Sequence, residues 1–359
     1  MAQLLRANNS TSVNRSSYQP PPTSQVLRAG LVSSFIGLIT VIILTMAVFR
    51  TNFDWLQVKE AFVRANPWPL IASWSAMTIA FLFLGMRWRS LIPPPHKASG
   101  RGLAAILCAG LLLNSALPGP VGEFGAAWFA HKRYRVPLGI SLASSVGARI
   151  IGMIMAAIAA FICWSFASFP IPEKFETEIG IAAIVVGMAG LGLLWVILWP
   201  KALAGISHHT FGKMSGQSVF GKIGHKLHTT TIEVTDGLTL LKDNGALAYL
   251  RCVGWSATAH TCVLIGITIA AWSLGATPSL PGLLFTYATT TAAVIVAFAI
   301  PGSQLVWDGI FLTLLTSTAG VPMESALAIT ILVRVQQLSI MIAGAGALNW
   351  LIRTTPADE

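Results

Sequence analysis

Long apolar runs separated by short polar loops dominate this chain of 359 residues. An apolar run of roughly 20 residues is long enough to cross the hydrocarbon core of a bilayer as a helix. Six such runs predict spanning helices, near Leu31–Phe49, Trp68–Met86, Leu138–Phe166, Ile179–Trp199, Ala246–Leu274 and Met323–Leu351. The pattern therefore predicts an all-α polytopic membrane protein.

Two further apolar regions, Gly102–Leu117 and Leu283–Ile300, each end at a Pro-Gly pair. Proline breaks a helix, and inside a bilayer such a break persists only where protein or a water-filled cavity covers it. We therefore interpret both regions as helical hairpins with buried tips, either re-entrant or crossing the membrane twice. The expected bending points are Pro118, Gly119, Gly122, Pro301 and Gly302.

The sequence around these breaks occurs twice. Glu123 is followed 26 positions later by Arg149, and Asp308 is followed by Arg334 at the same spacing of 26. Aligned without a gap, the two stretches share five identities in 27 positions, and the Pro-Gly breaks match if two residues are inserted. Duplicated breaks with duplicated charges are typical of a transporter built from two halves.

Most basic residues fall in loops on one side of the predicted helices, and that side should be cytoplasmic. The first hairpin then opens toward the cytoplasm and the second toward the outside, so the halves have inverted topology. We expect a bacterial cytoplasmic (inner) membrane protein with a cytoplasmic N-terminus. The predicted segments are a disordered cytoplasmic tail (1–26), a first half-repeat (27–168), a second half-repeat (169–353) with an amphipathic cytoplasmic insert (201–245), and a cytoplasmic tail (354–359).

Composition supports the membrane assignment and narrows the partners. Charged residues make up 10% of the chain and hydrophobic ones 54%, with a mean hydropathy of +0.71; a soluble protein has about 25% charged residues. The net charge of +10 lies mostly in the loops, which indicates membrane orientation and attraction to anionic lipid. We therefore expect membrane lipids and no nucleic acid as partners. The cysteines and histidines show no metal-binding spacing, so we expect no metal and no cofactor.

The two repeated arginines are unusual because they lie deep in apolar segments. Arg149 should lie about 16 Å along its helix, near the bilayer midplane, and Arg334 equally deep. An arginine there costs about 2.5–3.5 kcal/mol on insertion scales, so each should face a partner or a cavity. Glu123 and Asp308 are the natural partners. The pairs are either fixed salt bridges or sites at which the arginine exchanges its acid for an anionic headgroup.

Neutral polar side chains accompany the charges. Glu123 follows a proline break and should lie in the first turn of the outgoing helix, where free N–H groups and a positive dipole end can hold an anion. His260, within a predicted span, is either a proton site or a packed neutral histidine. Other candidate hydrogen-bonding groups are Asn114, Gln304, Gln336 and Gln337.

A larger pattern consists of Asn114, Pro118, Gly122, Glu123 and Arg149, then Pro301, Gly302, Asp308 and Arg334. It resembles the lysylphosphatidylglycerol synthase transmembrane family, also called the flippase-like domain family, from about Arg28 to Arg353. In the best-known members this domain is fused to a synthase and moves aminoacylated phosphatidylglycerol between leaflets. Pro120 and Ala126 stand where the family usually has basic residues, which argues against a lysyl-lipid substrate.

The resemblance implies a lipid translocase that moves an amphiphilic lipid with a polar or anionic headgroup. A membrane-embedded enzyme acting on a lipid or polyprenyl carrier is the first alternative. No metalloprotease or nucleophile motif is visible, so we expect no enzymatic activity. A non-transporting partner of a membrane complex is the second alternative, and a separate lipid-modifying enzyme is a candidate partner of the translocase.

Overall fold

The computed structural model describes residues 55–116, 121–169, 171, 173–211, 231–232, 235–236, 238–239, 241, 244–297 and 303–354. Within these residues the structure contains eleven named α-helices and no strand. They are α1 (Trp55–Arg64), α2 (Pro67–Leu91), α3 (Gly100–Ala116), α4 (Val121–Tyr134), α5 (Leu138–Phe166), α6 (Glu173–Leu198), α7 (Pro200–Phe211), α8 (Ala246–Ser273), α9 (Leu280–Ala297), α10 (Ser303–Ser317) and α11 (Met323–Thr354).

Five of these helices are long and apolar enough to cross a membrane: α2, α5, most of α6, α8 and α11. They confirm five of the six predicted spans. The sixth, Leu31–Phe49, lies outside the described residues, as does the tail 1–26. The protein is therefore an all-α, multi-pass membrane protein.

The outer faces of the spanning helices expose large apolar side chains. On α6, Ile181, Ile184 and Met188 are all more than half exposed. Such side chains would be costly in water but are suited to contact with lipid tails, which are as apolar as leucine. The exposed surface of α6 is therefore explained by the membrane.

The helices α2 and α8 pack along each other in antiparallel orientation. Near one end, the rings of Phe83 and Trp255 stack with centroids 5.7 Å apart. Toward the other end, the Ser73 hydroxyl donates a 2.7 Å hydrogen bond to the carbonyl oxygen of Gly266. A Cβ atom at Gly266 would lie 3.0 Å from the Ser73 carbonyl oxygen, so glycine permits this close approach.

Two pairs of shorter helices pack between the long ones. The first pair is α3 with α4, and α3 also packs against α11. The second pair is α9 with α10, and α9 also packs against α5. Gly344 of α11 lies so close to the backbone of Cys108 in α3 that a side chain there would strike it. Segments that are far apart in the sequence are thereby interleaved in one helical body.

The predicted amphipathic insert lies partly outside the described residues. Where it is described, Leu238 and Leu241 are buried against the protein. Their methyl groups approach the position that a Cβ would take at Gly147 of α5, at 3.5 Å and 3.3 Å. These two leucines therefore pack against α5.

Candidate functional site

The first charged pair joins the beginning of α4 to α5. Glu123 lies in the first turn of α4, as the sequence predicted. Arg149, the twelfth residue of α5, donates from Nη1 to Glu123 Oε1. The hydroxyl of Ser145, one helical turn earlier, donates to the other carboxylate oxygen at 3.4 Å. The side chains are 15% exposed for the acid and 33% for the arginine, so this ion pair is only partly accessible.

The N-terminus of α4 is held by the preceding helix. The side-chain oxygen of Asn114 accepts a 2.7 Å hydrogen bond from the backbone N–H of Gly122. A Cβ at Gly122 would collide with the Gly110 carbonyl oxygen and with the Asn114 side chain. Asn114 therefore binds one of the N–H groups that a helix start leaves unpaired, and Gly122 lets the two helices meet.

The second charged pair joins α10 to α11. Arg334 is the twelfth residue of its helix, and its Nε donates to Asp308 Oδ1 at 2.6 Å. It also donates to the side-chain oxygen of Gln337. Its guanidinium carbon lies 5.2 Å from the ring centroid of Trp307, within the range of a cation–π contact. Arg334 is thus held on several sides.

The remaining predicted site residues are only partly described. The amide of Gln336 donates to the backbone oxygen of Trp74 in α2 at 3.3 Å. Gln304 lies in the first turn of α10, but its side chain is outside the description. The bending points Pro118, Gly119, Pro301 and Gly302 are likewise outside the described residues.

One inward arginine was missed by sequence reasoning. The apolar run Trp68–Met86 stops one residue before Arg87, so the pattern alone predicts that Arg87 lies in the following loop. The structure continues α2 to Leu91, and Arg87 lies inside it, against Gly152 of α5. The signal was the buried pair Trp88 and Leu91, which continues the apolar face of the helix past the arginine.

His260 of α8 lies beside Arg87. Its Nδ1 is 2.8 Å from the hydroxyl of Tyr287 in α9. Its Nε2 is buried beside Gly152 of α5. Across the residues that the structure describes, no cluster of three or more His, Cys, Asp or Glu side chains could hold a metal ion.

These features define a multi-pass, all-α membrane protein with acid–arginine pairs set between its helices. Residues 31–345 match the family described as the lysylphosphatidylglycerol synthase TM region, and the chain belongs to that family. The match extends over both charged pairs and confirms the resemblance seen in the sequence. Comparison with curated proteins and with solved structures gives no match.

Proposed function

We propose that this protein is a flippase-like lipid translocase, which moves an amphiphilic lipid with a polar or anionic headgroup between leaflets. In this proposal Arg149 and Arg334 meet the headgroup in turn, each releasing its acid as it does so. The protein acts in a bacterial cytoplasmic membrane with its N-terminus in the cytoplasm. It performs no chemistry itself, and a separate enzyme modifies the lipid.

The observation that carries the proposal is the presence of two half-buried acid–arginine pairs in a membrane protein. A fixed ion pair is a poor way to stabilise an apolar core, because apolar residues of similar volume often stabilise as well or better. A guanidinium has five N–H donors in a planar fork that suits phosphate or carboxylate oxygens. The partial exposure of Arg149 and Arg334 fits an arginine that a headgroup can approach.

The arrangement of the helices supports inverted halves. Because α2 and α8 run antiparallel, the helices that follow them, α3 and α9, begin at opposite ends of the molecule. In our interpretation α3–α4 and α9–α10 are hairpins whose tips point toward each other. Exchange of the halves would interchange the contacts of α3 with α11 and of α9 with α5. An inverted repeat has two similar, oppositely facing states, which suits alternating access.

Leaflet exchange in liposomes tests the proposal. The purified protein is reconstituted with fluorescent phosphatidylglycerol or phosphatidylethanolamine, and exchange is followed by quenching of the outer leaflet. We expect wild-type protein to accelerate exchange, and Arg149→Gln and Arg334→Gln to lose most of that acceleration. Arg64→Gln is the matched control, because Arg64 forms an exposed 2.9 Å ion pair with Glu60, and exposed pairs contribute little.

The outcome separates the three classes of function. Exchange that is lost only in the two inward variants, with folding retained, supports translocation. Conversion of the headgroup in the same liposomes would instead indicate an enzyme. Neither exchange nor conversion by folded wild-type protein would contradict the proposal and favour a non-transporting partner.

A further inference from the structure

Arg87 reaches toward the middle of the helix bundle. It lies one turn before the end of α2, but helical side chains lean toward the N-terminus of their helix. Its guanidinium consequently packs over Gly152, near the middle of α5. A Cβ at Gly152 would lie 2.5 Å from Nη1 of Arg87, so glycine provides the space that the guanidinium occupies.

His260 approaches the same place from the opposite direction, because α8 is antiparallel to α2. The Cβ position of Gly152 is 3.5 Å from Nε2 of His260, so this nitrogen and Nη1 of Arg87 are at most 6.0 Å apart. The Nε atom of Arg87 is buried and has no hydrogen-bond partner within the described part of the chain, and the Nε2 atom of His260 is buried beside it. Buried polar atoms are normally hydrogen-bonded, so the exception at Arg87 points to a ligand that satisfies it.

The charges around Arg87 do not balance. Arg149 lies three residues before Gly152, on the same side of α5, and Arg87 is within electrostatic range of both Arg149 and Glu123. Glu123 is already paired with Arg149. Among the described residues, two guanidinium groups thus share one carboxylate, and a buried charge without compensation is costly.

The second half has no equivalent excess of positive charge among its described residues. Asp308 and Arg334 balance each other one to one. In the internal repeat, α8 takes the place of α2, and its single charged residue, Arg251, is exposed. Among the described residues, the extra inward cation therefore belongs to the first half.

We propose that Arg87 and Arg149 form a phosphate-binding subsite, with His260 as a third hydrogen-bonding partner. Phosphate supplies both the missing negative charge and several acceptor oxygens, and guanidinium groups bind it through parallel N–H donors. This site deepens the proposed function and rests on it, since it identifies the phosphate of the headgroup as the part that the first half binds. The same chemistry would also hold a soluble phosphate ester.

Ligand binding to the purified protein in neutral detergent tests the subsite without any transport step. The probes are dihexanoyl phosphatidylglycerol, dihexanoylglycerol, which lacks phosphate, and glycerol 3-phosphate, which lacks acyl chains. The readouts are the dissociation constant and the ligand-induced rise in unfolding temperature. We expect phosphatidylglycerol to bind, and Arg87→Gln to weaken that binding about 10-fold to 100-fold.

Two further variants complete the binding test, one as a second disruption of the subsite and one as a control. Gly152→Ala retains every charge but displaces the Arg87 guanidinium, so it should weaken binding in the same way, and it stands in if Arg87→Gln does not fold. Arg101→Gln removes an exposed charge and should leave binding unchanged. Without ligand, Arg87→Gln should unfold at or above the wild-type temperature, because it removes an uncompensated buried charge. A purely structural arginine would give a lower unfolding temperature instead.

The binding results either identify the source of the bound phosphate or contradict the subsite. Arg87-dependent binding of phosphatidylglycerol alone indicates a lipid headgroup, and Arg87-dependent binding of glycerol 3-phosphate indicates a soluble phosphate ester. Equal binding of dihexanoylglycerol, no binding of either phosphate compound, or binding insensitive to both Arg87→Gln and Gly152→Ala would overturn the proposal. Leaflet exchange without phosphate binding would contradict the subsite but not the translocase proposal. Phosphate binding without leaflet exchange would contradict the translocase proposal but not the subsite.

Discussion

The two acid–arginine pairs share a spacing and a helix position but differ in what surrounds them. The pair Asp308–Arg334 is balanced, and Gln337 and Trp307 also hold its arginine. The pair Glu123–Arg149 has Ser145 beside its acid and a second guanidinium, Arg87, within electrostatic range. The arginine of the second pair thus has several partners within the protein. Around the first pair, the described residues carry one more positive charge than negative charge.

The spacing of the two pairs recurs, but their surroundings do not. Each arginine lies twelve residues after a Val-Pro dipeptide, at the same position relative to the start of its helix. Ser145 and Gln337 lie on the same helices as the two arginines, whereas Trp307 lies on α10 and Arg87 on α2. In our proposal the first pair accordingly captures an anion, whereas in the second pair substitute partners hold the arginine when its acid is released.

The largest effect should follow from neutralising the acid of the first pair. Glu123→Gln removes the carboxylate that pairs with Arg149 and lies within electrostatic range of Arg87, and it should lower the free energy of unfolding by about 3–5 kcal/mol. Asp308→Asn should cost less, about 1–3 kcal/mol, because Arg334 keeps Gln337 and Trp307. Unfolding by SDS in mixed micelles measures both values. Equal losses in the two halves would contradict the comparison.

Removing both members of the first pair should restore much of that loss. In Glu123→Gln combined with Arg149→Gln, the acid and its closest cation disappear together. A double-mutant cycle should give a coupling energy of about 1–3 kcal/mol. Additive single losses in the same unfolding experiment would mean that Glu123 and Arg149 do not stabilise each other.

The glycines beside the two acids offer a test of packing. A Cβ at Gly122 would strike the Gly110 carbonyl oxygen, whereas a Cβ at Gly309 would meet nothing within 4 Å. Gly122→Ala should therefore lower the free energy of unfolding by about 1–3 kcal/mol. Gly309→Ala, as the matched control, should be neutral or stabilising by up to about 1 kcal/mol, because alanine favours a helix more than glycine does. The reverse order would show that the helices at the first pair are not closely packed.

The smallest effect concerns the aromatic partner of the second pair. Trp307→Leu removes a ring that lies near Arg334 and also stacks on Phe311 with centroids 4.6 Å apart. A cycle with Arg334→Gln separates the two contributions and should give about 0.5–1 kcal/mol for the cation–π contact. A coupling energy of zero would mean that Trp307 does not stabilise Arg334. Gln337 would then be the side chain that replaces Asp308 as the partner of Arg334.

The sequence was a good guide wherever the signal is local. Run length placed five described spanning helices within a few residues, and the proline break placed Glu123 in the first turn of α4. Arg87 was misplaced because basic residues usually mark the end of a span, and its long side chain leans back into the bundle. The contact of Asn114 with Gly122, and the burial of Leu238 and Leu241, depend on which helices meet. No periodicity along the chain records that information.

Leaflet exchange by the doubly neutral variant tests the central claim most directly. Glu123→Gln with Arg149→Gln removes the ion pair without leaving a lone charge from that pair, so the protein should remain folded in liposomes. If Arg149 binds the headgroup, this variant exchanges phosphatidylglycerol no faster than protein-free liposomes while the Arg64→Gln control exchanges at the wild-type rate. Exchange at the wild-type rate by the doubly neutral variant would contradict the account and reduce the pair to a structural salt bridge.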